Sequence, residues 1–319
     1  MPMRVRIQAK TPNNPRNSKR TTLSTKTNRG QRKMIITVHS YKGGTGKTLL
    51  AANLAMIYAS RGKNVCLLDL DFRAPSLSST FKNKRRYWIN DYLDKICKID
   101  RVLNDCTPNY IEEGKLFVGL ANPSTEAIRE MASKNRKWEM EALGRIINLK
   151  TSLLDKGLFD YVIIDSSPGL QYSSINAIIA ADLVLVVTSV DRSDLEGTQR
   201  TINDLYDIFE KKTGIIVNKV PPTIFSGKTP LKLDTRQIPM VDLVPCSCDI
   251  LKSSGDYLFI FKSPHHPVTK TFQKIATQIE EVRFSFGQIW LYPNSVPPTK
   301  KTKPLKKKTS SPTNKTTIF

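Results

Sequence analysis

The chain has 319 residues, 39% of them hydrophobic, so it can bury a sizeable core in one large α/β domain with tails or in two smaller domains. Its 50 lysines and arginines against 28 aspartates and glutamates give a formal charge of +22. Five cysteines (Cys66, Cys97, Cys106, Cys246, Cys248) imply no disulfide framework and fit a reduced, intracellular setting; the basic N-terminus lacks the apolar stretch of a secretory signal, and no run of about 18 apolar residues exists to span a membrane.

Residues 1–33 hold ten basic and no acidic residues and almost no large apolar group after Ile7. That is too little buried surface to offset chain entropy, so a disordered basic tail is expected. Residues 34–38 read as a buried strand, 47–60 as a helix, 64–69 as a second strand and 116–120 as a third. A helical stretch over 137–154 precedes a strand at 161–165, and a helix near 171–180 precedes a strand at 183–187. A helix over about 194–211 leads into a strand at 215–218. A strand near 241–244 and a helix near 268–284 close a domain set at 34–290. Residues 291–319 form a second expected disordered tail, with seven lysines and no acid from 300 onward. Between these two basic ends, residues 34–299 hold 33 basic and 28 acidic residues, a net of only +5. Cationic ends of this kind attract phosphate-rich polyanions or anionic lipid, unless they serve only solubility.

Apolar strands alternating with helices predict a three-layer, doubly wound, mostly parallel α/β sheet. Right-handed crossovers bring all strand C-termini to one edge, where ligands bind. Directly after the first strand stands Lys42-Gly43-Gly44-Thr45-Gly46-Lys47-Thr48, followed by a helix. Glycines there let backbone N–H groups turn toward phosphate oxygens, and the helix N-terminus adds a favourable partial charge. Lys47 can reach the β- and γ-phosphates and the Thr48 hydroxyl can ligate Mg²⁺. The usual pattern wants glycine six places before Lys47, where this chain has Tyr41.

The Lys-Gly-Gly-Xaa-Gly-Lys-Thr form resembles the deviant-Walker P-loop ATPases of the ParA/MinD family, and the resemblance spans roughly residues 34–284. It implies ATP and Mg²⁺ as cofactors and a P-loop NTPase fold. It also implies an ATP-bound homodimer in which Lys42 reaches the neighbour's phosphates; alone, Lys42 would read as a solvated loop lysine. Asp69-Leu70-Asp71-Phe72-Arg73-Ala74-Pro75-Ser76 resembles the family's switch I, with Asp71 placed to orient the attacking water and Asp69 supporting Mg²⁺ or the loop. The apolar run ending in Asp165 has the Walker B form, with its carboxylate on Mg²⁺, usually through water. Ser166-Ser167-Pro168-Gly169-Leu170 resembles switch II. Asn218 matches the residue that reads the adenine edge, the alternative being a strand-end turn. The resemblance thus implies Lys42, Lys47 and Asp71 as catalytic. It implies Gly43, Gly44, Thr45, Gly46, Lys47, Thr48, Leu49 and Asn218 as nucleotide-binding, and Thr48 and Asp165 as metal-binding.

Four tasks remain open to such an ATPase. The leading one is a ParA-like partition protein whose dimer binds DNA nonspecifically, working with a partner that stimulates hydrolysis. The second is a MinD-like positioner on an anionic membrane surface, although the Lys- and Pro-rich end forms no amphipathic helix. An iron–sulfur carrier of the Mrp type would rest on Cys246 and Cys248 alone, which lack the partner pair of a metal site and read rather as buried or edge thiols. A tyrosine autokinase would show a tyrosine-rich end. His265-His266 reads as a rigid loop and Trp138 as core. A cytoplasmic protein is expected, on the nucleoid or at the membrane periphery.

Overall fold

Alternate residues of each central strand face opposite layers, so both faces are apolar and the strands read as unbroken hydrophobic runs. The computed structural model describes residues 33–206, 209, 211–226, 240–252 and 258–282; the tails expected at 1–33 and 291–319 lie outside them, apart from Lys33. The described strands are β1 (Met34–His39), β2 (Asn64–Leu70), β3 (Leu103–Asp105), β4 (Lys115–Gly119), β5 (Tyr161–Ser166), β6 (Leu183–Ser189), β7 (Thr213–Val220) and β8 (Met240–Pro245). They form one sheet in the order β3-β4-β2-β5-β1-β6-β7-β8. Every neighbouring pair is parallel except β3 and β4.

Met34, Ile36 and Val38 of β1 face a layer containing helices α1 (Lys47–Ser60) and α10 (Pro267–Val282). Ile35 faces the layer of α2 (Ile89–Leu93), α4 (Arg136–Leu149) and α5 (Tyr172–Ala180). Helix α1 is buried nearly throughout, so its sequence is apolar all round rather than amphipathic. Its Tyr58 ring stacks on Tyr161 of β5 at 4.4 Å. Val268, Phe272, Ile275 and Ile279 give α10 its buried stripe at helical spacing.

Several elements differ from expectation. The helix expected over 137–154 is α4 followed by a π-helical turn (Lys150–Asp155), and the one over 194–211 is α6 (Arg192–Thr201) continuing into a π-helical segment (Ile202–Tyr206). Strand β3 carries only Leu-Asn-Asp, so no apolar run betrays it. It is pinned by Asn104, whose amide donates to the Val102 and Val118 carbonyls at 3.2 Å. Helices α3 (Thr125–Ser133), α7 (Pro222–Phe225), α8 (Cys248–Lys252) and α9 (Phe259–Lys262) are short or wholly superficial. Trp138 is only half-buried, its Nε1 donating to Asp94 at 2.6 Å. His266 is a loop brace: its Nδ1 accepts from the Val268 amide at 3.1 Å. Cys246 and Cys248 are exposed just beyond β8, at the edge of the described sheet, the second of their two expected placements.

Candidate functional site

Strand β1 lies between β5 and β6, so the chain reverses direction across the sheet beside its C-terminal end. A crevice opens at such a point. The turn from Ser40 to Gly46 fills it, and the amide end of α1 points into the same space. Gly44 and Gly46 take left-handed φ values of 75° and 97°, a region costly to any residue with a side chain. Gly46 is required twice over, since a Cβ there would lie 2.3 Å from Asn218 Nδ2. No side chain caps α1, which leaves its first amides for an anion.

The end of β7 clasps this loop from outside. Asn218 Nδ2 donates to the Thr45 carbonyl at 2.7 Å, and Lys219 Nζ donates to the Gly44 carbonyl at 2.6 Å. Lys219 does so from a left-handed φ of 57°, while Asn218 Oδ1 accepts the Lys219 amide at 2.8 Å. Both ends of the Asn218 amide are therefore engaged within the protein, which sets it as a brace of the loop. Leu49 is buried in the core, so its backbone is what it can offer a ligand. Gly43 rests against Pro168 of the turn after β5.

Three carboxylates surround Lys47 and Thr48. Asp165 is fully buried at the end of β5, and neither of its oxygens has a donor in bonding geometry. Burial pushes its pKa up to about 7; the Thr48 hydroxyl and the Lys47 ammonium oppose the shift and Asp71 adds to it. Asp69, at the end of β2, is likewise raised by burial and by Asp165. It supports the loop, accepting the Asp71 amide at 3.0 Å and the Leu77 amide at 3.4 Å. Asp71 is raised by burial and held down by Lys47 and Ser167. Ser76 Oγ donates to Thr48 Oγ1 at 3.3 Å. A buried carboxylate with both oxygens orphaned, Asp165, beside a threonine hydroxyl fits a divalent cation. Among the described residues no three His, Cys, Asp or Glu side chains converge to hold a metal.

The segment after β5 is fastened to the same loop. The Gly169 amide donates to the Ser40 carbonyl at 2.9 Å, and the Gly169 carbonyl receives His39 Nε2 at 2.9 Å and Ser174 Oγ at 2.7 Å. His39 is buried at the end of β1, and burial lowers its pKa to about 4. A neutral ring with its proton on Nε2 is what the carbonyl requires. Sequence reasoning missed His39, because a lone histidine ending an apolar strand gives no signal.

Lys42 stands apart from the phosphate nest. Its side chain is 45% exposed and pairs with Asp191 Oδ1 at 3.1 Å and with Ser193 Oγ. Ser193 and Lys42 lower the Asp191 pKa to about 2, and Asp191 caps α6 by accepting the Asp194 amide at 3.1 Å. Tyr41, where the usual loop has glycine, lays its ring on Gly197 of α6; a Cβ at Gly197 would lie 2.0 Å from that ring. The structure thus brings Gly43 to Thr48, Asp71, Asp165 and Asn218 together and turns Lys42 to the rim.

The sequence profile of a family described as an AAA domain matches residues 33–217, more than half the chain, and the chain belongs to that family. Within it, the phosphate loop with its two lysines decides the branch. The protein is a P-loop ATPase of the ParA/MinD family. It uses ATP and Mg²⁺ and is an ATP hydrolase. The septum site-determining protein MinD of Thermotoga maritima is 28% identical over 254 residues, covering 77% of this chain and 87% of that one. In fold, the ATPase resembles MinD of Pyrococcus horikoshii complexed with Mg-ADP (TM-score 0.62, 20% identity, 79% of this chain and 98% of that one). It also resembles a putative plasmid partition protein of Borrelia burgdorferi bound to AMPPNP (TM-score 0.59, 20% identity, 79% and 100%). No helix of this ATPase, among the described residues, is long and apolar enough to cross a membrane.

Proposed function

We propose that the protein is a nucleotide-controlled dimerisation switch in DNA or plasmid partition, with one ATPase domain over 34–290 between two basic tails. The observation that carries the switch is the division of labour between two lysines: Lys47 is buried among the carboxylates, while Lys42 stands at the rim on an exposed ion pair. Lys47 neutralises the phosphates of its own nucleotide. Lys42 leaves Asp191 for the phosphates of a second copy, so that full neutralisation depends on association. Leu170 and Tyr172, 51% and 58% exposed beside the site, supply apolar surface for that contact.

Thr48 and Asp165 hold Mg²⁺, which neutralises phosphate charge when bound. Asp71, raised by its burial and held partly back by Lys47 and Ser167, accepts a hydrogen bond from the attacking water and aims it. The backbone of Gly43 to Leu49 cradles the phosphates. Asn218 braces the loop beneath the nucleotide through its bond to Thr45. A partner protein stimulates turnover.

The basic ends, carrying 17 positive charges and no acid over 1–33 and 300–319, favour nonspecific DNA as the surface bound. The second reading, a MinD-like positioner on anionic membrane, draws on the septum-site relative of Thermotoga maritima. Either places the protein in the cytoplasm, on the nucleoid or at the membrane periphery. The test is sedimentation with ATP and Mg²⁺: wild type dimerises, and Lys42→Ala binds ATP as a monomer without turnover. Unchanged hydrolysis by Lys42→Ala would remove the cross-dimer role.

A further inference from the structure

The balanced charge of the central region conceals one concentrated patch. Switch I leaves the site through Ser76, passes a single 3-10 turn (Leu77–Ser79) and enters Lys82-Asn83-Lys84-Arg85-Arg86. All four cations of this loop are exposed, and none forms a salt bridge with a carboxylate among the described residues, although the Lys84 ammonium lies near enough to Asp105 to help Thr107 lower its pKa against burial. The acids nearby in sequence are mostly engaged elsewhere. Asp91 accepts the Trp88 amide, Asp94 binds Lys134 and Trp138, Asp100 lies 3.9 Å from Arg101, and Asp105 accepts the Thr107 amide.

The loop's backbone is held firmly. The Lys84 amide donates to Asn104 Oδ1 at 2.7 Å, the Arg85 amide to Asn83 Oδ1 at 3.0 Å, and Arg85 Nε to the Leu103 carbonyl at 2.8 Å. Arg86 lies 5.5 Å from the centroid of the Tyr87 ring. Cations on a rigid support suit a polymer whose charges also sit at fixed spacing. A lipid-binding loop would carry exposed apolar groups among its cations, but of the large apolar residues flanking this one Phe81 and Ile89 are buried and Tyr87 and Trp88 pack, partly buried, against the core.

The loop is also tied to the nucleotide site. Leu77 gives its amide to Asp69 and is fully buried, Phe81 four residues on is buried, and Ser76 Oγ rests on Thr48 Oγ1. A Thr48 hydroxyl whose oxygen ligates a cation is a poorer acceptor for Ser76. Release of Ser76 removes one of the two ties, to Thr48 and to Asp69, that hold the near end of the loop, while β3 holds the far end.

We propose that Lys82, Lys84 and Arg86 form a phosphate-binding surface for double-stranded nucleic acid, set by the contact between Ser76 and Thr48 and hence by the nucleotide. This rests on the reading of the chain as an ATP-controlled DNA-binding protein. The test uses the full chain, a short random-sequence duplex, Mg-ATP or Mg-ADP, and rising salt. Arg85 is kept because it braces β3. Replacing Lys82, Lys84 and Arg86 by alanine is expected to make the log–log salt slope shallower by about 2–3 and to abolish the preference for ATP over ADP. Binding of Mg-ATP is unchanged. Ser76→Ala retains the slope and loses the preference. A triple variant with the wild-type slope overturns the surface, and a loss confined to phosphatidylglycerol vesicles, with duplex binding intact, reassigns it to lipid and overturns it equally. A wild-type protein that binds duplex but no Mg-ATP overturns the underlying reading and the coupling, leaving the slope to decide the surface.

Discussion

The two limbs of the phosphate loop are supported in opposite ways. The limb from Gly44 to Thr48 is clamped by β7 through Asn218 and Lys219, hydrogen-bonded at 2.7 and 2.6 Å to successive carbonyls. The limb of Tyr41 and Lys42 leans on α6, through a ring laid on Gly197 and an exposed ion pair to Asp191. Exposed pairs are weak and screened by salt; carbonyls already pinned outward leave the loop's amides preorganised at no further cost. One limb is built to stay, the other to let go.

The first way to break the contrast is Gly46→Ala. The new methyl meets Asn218 at 2.3 Å and the backbone is left-handed, so a loss of roughly 2–4 kcal/mol in denaturant unfolding is expected, with no nucleotide retained. Asp165→Asn tests the carboxylate cluster against the fixed limb. Its raised pKa means the folded chain holds a proton that the unfolded chain releases between about pH 4 and 7, so stability without nucleotide falls as pH rises through that window. The variant should therefore gain on the order of 2–4 kcal/mol at pH 8 and lose Mg²⁺-dependent hydrolysis. His39 acts in the opposite sense between about 4 and 6.5 but is common to both proteins, so the stability difference between wild type and Asp165→Asn, followed from about pH 4.5 to 7.5, isolates the aspartate. A difference that stays constant across that range would refute the raised carboxyl.

Lys219→Met removes one clasp of the fixed limb, and nucleotide affinity in a titration should weaken by about tenfold. Lys219→Arg should restore most of it if the carbonyl bond is the cause. The smallest effect is expected at the mobile limb. Asp191→Asn keeps a good cap for α6 but frees Lys42. The melting temperature should barely move, while ATP-dependent dimerisation measured by sedimentation strengthens several-fold. A large fall in melting temperature would show that this limb too is structural.

Much of the fold was legible because burial on both faces leaves a mark that one residue type can show. The strands at 34–38, 64–69 and 161–165 and the helix over 47–60 appear where the apolar runs lie. Strand β3, with two polar residues of three, leaves no such mark, and the one-turn helices owe their form to neighbours. Lys47, Thr48, Asp71 and Asp165 were readable from motif spacing, and the structure gathers them. Cys246 and Cys248 were expected to be buried or at the sheet's edge, and they stand exposed beside the edge strand.

The amino-acid order determined on its own where the sheet lies, where the phosphate loop must turn and which acids end their strands, because periodicity and glycine preference act over a few residues. Only the folded chain decided that His39 holds Gly169, Lys219 holds Gly44 and Asp191 holds Lys42, across separations of 130, 175 and 149 residues. Such bonds depend on which strand ends the crossovers bring side by side, and no local pattern carries that information.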